Sequence, residues 1–204
     1  FRSLESDFEG NQYRRCPVGR GMLVGLTGRN ASGKSTFVEW FSAKGLRSVS
    51  CSDSIRAWLT EQGIESTREA LIEGGRELRR QGGGGVLAEM LLDILSGEDA
   101  VVDSIRTPAE VEALRERGDF FLIEVRADQE ARWERMNQRG RSGDPLDKEV
   151  FLRQEEDEAS SKDEAGQALD ATAEMADIAI DNDGTLEELE RKLEEVWSNL
   201  SRAQ

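Results

Sequence analysis

Apolar positions along the chain follow two rhythms. Short uninterrupted apolar runs, as a strand buried on both faces requires, occur near 22–27 (MLVGLT), 47–51, 100–103, 120–126 and 177–181. Between them apolar residues recur every three to four positions, which puts them on one helix face. These stretches cover 34–44, 53–62, 67–80, 84–96, 108–117, 129–139, 147–160 and 186–199. Strands alternating with helices predict βα units and an α/β fold around a mostly parallel sheet of five strands.

Several helix starts are written in the sequence. Ser66 to Glu69, Thr107 to Glu110 and Thr185 to Glu188 each match a capping box, in which a hydroxyl and a carboxylate satisfy backbone N–H groups that a helix end leaves unpaired. Two breaks stand out. Gly82 to Gly85 is either a hinge between helices or a plain linker, and Arg139 to Pro145 is an arginine-rich glycine and proline loop. The acidic run Glu155 to Glu158 reads as a solvated helix face, and no internal repeat is present.

The 204 residues suit one α/β domain, placed at 22–204. Residues 1–21 carry no sustained period and read as a leader, either disordered and natural, part of something longer, or extraneous to the natural chain. A formal charge of −15, from 42 acidic and 27 basic residues, argues against a general nucleic-acid binder, which needs clustered cations. The acidic excess and a count of only five lysines fit a salty cytoplasm or a GC-rich genome. With only Cys16 and Cys51 and no histidine, neither a disulfide framework nor the usual zinc sites can form, which points to a reducing cytoplasm. No apolar run spans a bilayer, so no membrane partner is expected.

The chemistry concentrates in GLTGRNASGKST, residues 25–36. Gly28-x-x-x-x-Gly33-Lys34-Ser35 lies between an apolar strand and an amphipathic helix, the setting of a phosphate-binding loop. Glycines let backbone N–H groups turn toward phosphate oxygens, and the following helix N-terminus adds its positive dipole end. Lys34 is expected to reach the β and γ phosphates, and the Ser35 hydroxyl to hold Mg²⁺.

Other candidates surround this loop. Asp103 ends a buried strand, where a carboxylate can hold Mg²⁺ directly or through water, or can merely cap a turn. Asp53 either N-caps a helix or accepts a proton from an attacking hydroxyl, and the two roles are compatible. Arg132, Arg135 and Arg139 recur at helical spacing and lead into Arg141, as in a lid that spreads the charge of a transferring phosphoryl group. The plainer alternative pairs these arginines with Glu130 and Glu134 on a surface helix. Arg56, Arg76, Arg79, Arg80 and Arg106 fall where an acceptor phosphate would be held, with Arg56, Arg76, Arg80 and Arg106 taken as the substrate-binding set.

Together GLTGRNASGKST, SDSIR, GGRELRRQGGGGVLAE, VVDSIRTPAEVEALR, FFLIEVRA, RMNQRGRSGDP and ADIAIDNDGTLEELERKL resemble the dephospho-coenzyme A kinase and nucleoside monophosphate kinase-like branch of phosphate-loop kinases, over about residues 22–197. Archaeal kinase-related proteins and the kinase-like domain of some dCMP deaminases carry a strand end similar to Asp103 to Arg106. The resemblance implies a three-layer phosphate-loop NTPase fold with an acceptor-binding helical region and an arginine-rich lid. It implies ATP and Mg²⁺ as cofactors, with Gly28, Asn30, Ala31, Ser32, Gly33, Lys34, Ser35 and Thr36 at the triphosphate. Asn182, Asp183 and Gly184 would flank the adenine. Asp53 would be the base or acceptor-orienting carboxylate, Arg135, Arg139 and Arg141 the lid cations, and Asp103 and Arg106 the junction of metal and acceptor. Ser-Asp-Ser-Ile-Arg departs from the Asp-Ala-Asp pattern usual in dephospho-coenzyme A kinases, which turns the reading toward a nucleoside monophosphate.

The sequence therefore predicts an ATP- and Mg²⁺-dependent phosphotransferase with a small nucleotide acceptor, its oligomeric state left open. The rival is a nucleotide-sensing module that transfers nothing. A zinc deaminase is excluded for this stretch, since it has neither His-x-Glu nor Cys-x-x-Cys, and a GTPase-type switch is a weaker reading, since the sequence shows no Asn-Lys-x-Asp-like element.

Overall fold

The five apolar runs become five strands of one parallel sheet: β1 (Leu23–Thr27), β2 (Arg47–Ser50), β3 (Ala100–Asp103), β4 (Phe120–Arg126) and β5 (Ile178–Asp181), in the order β2-β3-β1-β4-β5. This computed structural model describes residues 21–140, 144–159 and 168–202; Cys16, Arg141 and the expected leader apart from Gly21 lie outside them. The helices are α1 (Lys34–Ala43), α2 (Cys51–Glu61), α3 (Arg68–Gly82), α4 (Val86–Leu95), α5 (Pro108–Arg115), α6 (Gln129–Arg139), α7 (Lys148–Ala159), α8 (Leu169–Ala173) and α9 (Leu186–Arg202).

Alternate strand residues feed two cores, because side chains of an extended chain point to opposite faces. Val24, Leu26, Ile123 and Val125 pack with Phe37 and Phe41 of α1 and Leu189, Leu193 and Val196 of α9. Leu23, Val102 and Leu122 pack with Leu87, Leu91 and Leu95 of α4 and Val111 and Leu114 of α5. Helices on both faces give the three-layer α/β arrangement expected. Each fully buried phenylalanine of α1 contributes about 1.5–3 kcal/mol by leaving water.

Boundaries shift where caps decide them. The second strand stops at Ser50, not at 51, because Ser50 caps α2: its hydroxyl accepts from the Ser52 N–H at 3.3 Å, and the Asp53 carboxylate accepts from the Ser50 N–H at 2.8 Å. Asp53 is thus the carboxylate of a capping box and not the N-cap itself. The box expected from Ser66 moves one place: Thr67 caps α3 by accepting from the Ala70 N–H, which leaves Glu69 out of register. Boxes at Thr107–Glu110 and Thr185–Glu188 form as expected. The glycine run divides, Gly82 closing α3 and Gly83 turning with φ 90° into α4. The five-residue α8 was not anticipated. Among the described residues no helix is long and apolar enough to cross a membrane.

Candidate active site

The site lies beyond the carboxyl ends of β1, β3 and β4, where the chain leaves the central strand and the crossovers diverge to either side. β1 delivers the loop Gly28 to Gly33, whose backbone takes left-handed conformations at Gly28 (φ 132°), Ala31 (φ 60°) and Gly33 (φ 96°). Gly33 cannot be replaced: besides its φ, a Cβ there would run into the Asn182 amide. No side chain caps α1 at Gly33, so the first-turn N–H groups of Lys34 and Ser35 remain for an anion, while the Thr36 N–H donates to the Gly33 carbonyl at 3.0 Å. Ser32 is fully buried, and its hydroxyl has no hydrogen-bond partner among the described residues.

Lys34 folds back over its own loop, donating from Nζ to the carbonyl oxygens of Gly28 (2.7 Å) and Arg29 (2.9 Å). Burial pulls its pKa down from 10.5 to about 8; Asp103 and Glu158 counter that pull, while Arg106 and Arg139 reinforce it. Lys34, Asp103, Arg106, Glu158 and Arg139 therefore share one electrostatic environment. Asp103 closes a tight turn, its Oδ1 accepting from the Ser104 N–H at 2.6 Å with Ser104 at φ 64°.

The β5–α9 loop leans against the phosphate loop. Asn182 donates from Nδ2 to the Ser32 carbonyl at 2.9 Å, and Arg135 donates to the Asn182 carbonyl at 2.5 Å and to the Ser32 carbonyl at 3.5 Å. Asp183 accepts from the Asp128 N–H at 2.8 Å, and Gly184 packs on the capping carboxylate of Glu188. Arg139 grips Asp144 through Nε and Nη2 (2.9 and 3.0 Å) and also donates to the side-chain oxygen of Asn30 at 3.0 Å. Arg135 and Arg139 of α6 thus both reach the loop. Arg132 does not: it is buried against Glu155 of α7 and the Ala127 carbonyl, and Glu130 pairs instead with Lys148.

The acceptor candidates separate. Arg106 lies 3.5 Å from Glu158 and acts on Lys34. Arg56 pairs with Asp53 at 2.9 Å and donates to Ser52, so those two candidates touch each other. Arg76 and Arg80 stay on the exposed side of α3, paired with Glu73 and, for Arg80, Glu77. Arg79 is buried on Glu110.

The acidic run is not a solvated face throughout. Glu155 is buried on Arg132 and Glu158 is half-buried on Arg106, while Glu156 and Asp157 are exposed. The signal was present: Phe151, Glu155 and Ala159 recur every fourth residue, and that stripe faces inward. Arg29 was also missed. It donates to the Glu155 carbonyl (3.3 Å) and pairs with Asp170 (2.7 Å), so it ties the phosphate loop to α7 and α8. A cavity of about 300 Å³ adjoins it, lined also by Gly28, Asp128, Arg132, Asp170 and Asp183.

The donor set suits a phosphate chain: a glycine cradle, an uncapped helix end, an orphaned buried hydroxyl and a desolvated ammonium. Among the described residues no group of three or more metal-ligating side chains occurs. A divalent cation there would need phosphate and water ligands beside Ser35 and Asp103, as suits Mg²⁺.

Residues 24–163 match the AAA domain family. A UPF0200 protein of Methanothrix thermoacetophila is 34% identical over 183 residues, covering 89% of this chain and 99% of that protein. Among solved structures, TT1252 from Thermus thermophilus superposes with a TM-score of 0.60 at 22% identity, over 88% of this chain and 98% of that one. The shikimate kinase of Aquifex aeolicus gives 0.53 at 17%, over 88% and 96%. The fold is that of the small phosphate-loop kinases.

Proposed function

The chain belongs to the UPF0200 family and its residues 24–163 to the AAA domain family, and from the site above we propose that it is an ATP- and Mg²⁺-dependent phosphotransferase acting on a small nucleotide-type acceptor. The observation that carries this reading is the convergence on Lys34: a desolvated loop ammonium within the field of Asp103, Arg106, Glu158 and Arg139. A loop that only held phosphate would not need an arginine and two carboxylates from β3, its following turn and α7 at the same point.

Gly28, Asn30, Ala31, Ser32, Gly33, Ser35 and Thr36 would cradle the triphosphate while Lys34 leaves its loop carbonyls for the β and γ oxygens. Mg²⁺, held through Ser35 and Asp103, would supply charge neutralisation of the bridging oxygens. Asn182 and Gly184 would flank the adenine. Arg106 and Arg56 would hold the acceptor, with Arg76 and Arg80 further out. In the reaction the acceptor oxygen bonds to the γ phosphorus as the bond to the β-bridging oxygen breaks, and ADP leaves with that electron pair. An acceptor phosphate attacks already ionised, so Asp53 needs only to orient it; an acceptor hydroxyl would pass its proton to Asp53. Arg135 and Arg139, with Arg141, would cover the transferring group and exclude water. A nucleoside monophosphate is favoured over dephospho-coenzyme A on the Ser-Asp-Ser-Ile-Arg pattern.

A nucleotide-sensing module that transfers nothing is the second reading. The pairing of Arg106 with Glu158 and of Arg56 with Asp53 favours it, because both arginines are already neutralised within the chain. An ADP-release assay over nucleoside monophosphates and dephospho-coenzyme A separates the two. Acceptor-stimulated turnover lost in Lys34→Ala supports the kinase. Tight ATP binding in calorimetry without turnover on any acceptor supports the sensor.

A further inference from the structure

Glu110 is fully buried and uses both carboxylate oxygens. Oε2 accepts from the backbone N–H of Arg106 (2.8 Å) and of Thr107 (3.3 Å), and Oε1 accepts from Nη2 of Arg79 at 2.8 Å. The bond from Thr107, with the Glu110 N–H donating back to the Thr107 hydroxyl at 3.2 Å, is the capping box of α5, the bond from Arg106 adds to it, and for both a neutral glutamine would serve. The arginine is extra. It comes from the last turn of α3, 31 positions earlier in the chain, and its side chain is 7% exposed against 0% for Glu110.

A buried ion pair is costly to desolvate and is weak grounds for stability by itself. Here the fold also tolerates an unsatisfied donor, since Nε of Arg79 is buried without a partner among the described residues. The neighbouring Arg76 and Arg80 show that α3 can leave its arginines in water. What the pair gains is a fixed connection. Thr107 adds a second tie by donating from its hydroxyl to the Gly84 carbonyl at 3.3 Å, and the Gly85 backbone lies against Ala109. The end of α3, the glycine turn and the loop after β3 are thereby joined at the segment that carries Arg106. The Arg106 carbonyl in turn accepts from the Ala168 N–H at 2.9 Å, so the segment is held from both sides.

We propose that Arg79 is a positioning residue of the acceptor site: through Glu110 it fixes the Arg106–Thr107 backbone, and so sets where the Arg106 guanidinium stands relative to Lys34. The proposal rests on the reading of Arg106 as an acceptor ligand. It assigns Arg79 no contact with substrate, and it makes α3 and the acceptor arginine move as one body.

Hydrogen–deuterium exchange on the full chain reads the connection without any ligand, and calorimetry with MgATP, AMP and dCMP reads its consequence. Arg79→Met should speed amide exchange at Arg106 and Thr107 tenfold or more and weaken AMP or dCMP binding by a similar factor, with MgATP affinity within twofold of wild type. Arg79→Lys should recover part of both. Glu110→Gln still offers an oxygen to the two amides but turns an NH2 toward the buried Arg79 and leaves that charge unpaired, so it should shift both in the same direction as Arg79→Met. Binding of the monophosphate should therefore track protection across the three variants. Unchanged exchange in Arg79→Met, affinity that does not follow protection, or MgATP binding lost together with the rest in every variant would each overturn the proposal. Exchange that responds as expected in a protein that binds neither monophosphate keeps the connection and instead sinks the acceptor role of Arg106.

Discussion

Lys34 shows how one residue can carry both a cost to folding and a readiness to bind. Its ammonium has left water for two loop carbonyls, and its pKa falls from 10.5 to about 8 because burial penalises the charged form. A depressed lysine pKa means the unfolded chain holds the proton more tightly. Stability should then rise with pH between about 8 and 10.5, and the penalty is fully present below about 8. Lys34→Met removes it, so this variant should be more stable than wild type at pH 7, by at most about 3 kcal/mol, and the advantage should vanish toward pH 10.5. Urea unfolding of both proteins at pH 7, 8.5 and 10 checks the sign; an advantage that grows with pH would refute it. Phosphate oxygens favour the charged lysine, so nucleotide binding at pH 8.5 should take up a proton, seen as a calorimetric heat that depends on the buffer's ionisation enthalpy. The loop was legible in the sequence because its conformation is local: glycines at fixed offsets specify it. Glu158 was not, because its partner Arg106 is 52 positions away and only the fold brings α7 over β3.

At the scale of elements, caps carry information that strand and helix patterns miss. Asp53 was weighed as an N-cap or a catalytic carboxylate; as a cap it stands at the third helical position, accepting from the Ser50 N–H while pairing with Arg56. The box begins with Ser and ends with Asp in place of the usual Glu or Gln, so its signature did not stand out and α2 starts two residues earlier than expected. Loss of activity in Asp53→Ala would be ambiguous, since losing its bond to the Ser50 amide should cost about 1 kcal/mol. Asp53→Asn keeps an acceptor for the Ser50 amide. If Asp53 accepts a proton, this variant should hold its melting temperature within a degree or two and lose turnover at least a hundredfold on a hydroxyl acceptor. On a monophosphate acceptor the loss should be small, and stopped-flow rates with both acceptor types make the comparison. The periods of the core helices were legible for a plain reason: α1, α4 and α9 each bury one stripe in the cores on either side of the sheet. The short α8 has only Leu169 and Thr172 buried and offers no stripe to find.

Across the whole molecule, strand alternation predicted a parallel sheet, but its order came from packing. Which crossover goes to which side depends on contacts between residues as far apart as Leu23 and Phe120, and a sequence read locally cannot supply them. The region of α6 and α7 likewise depends on distant pairing. Arg132 and Glu155 neutralise each other in the interior between α6 and α7, and Gln129 donates to the same carboxylate at 3.1 Å. Arg29 joins this pair to the phosphate loop through the Glu155 carbonyl. Because a buried charge left without its partner is far more costly than the intact pair is beneficial, Glu155→Ala should destabilise by about 3–5 kcal/mol. The backbone carbonyl that Arg29 uses survives the substitution, so the loss should begin between α6 and α7. Proteolysis under native conditions should cut within or beside α7 before global unfolding, and the double variant Arg132→Met with Glu155→Leu should restore resistance by replacing the pair with apolar contacts to Phe151. If the single variant is cut no faster than wild type, the pair does not hold α7 in place. If the double variant is cut as fast as the single one, the unpaired charge was not the cause, and the segment is held by the Arg139–Asp144 contacts instead.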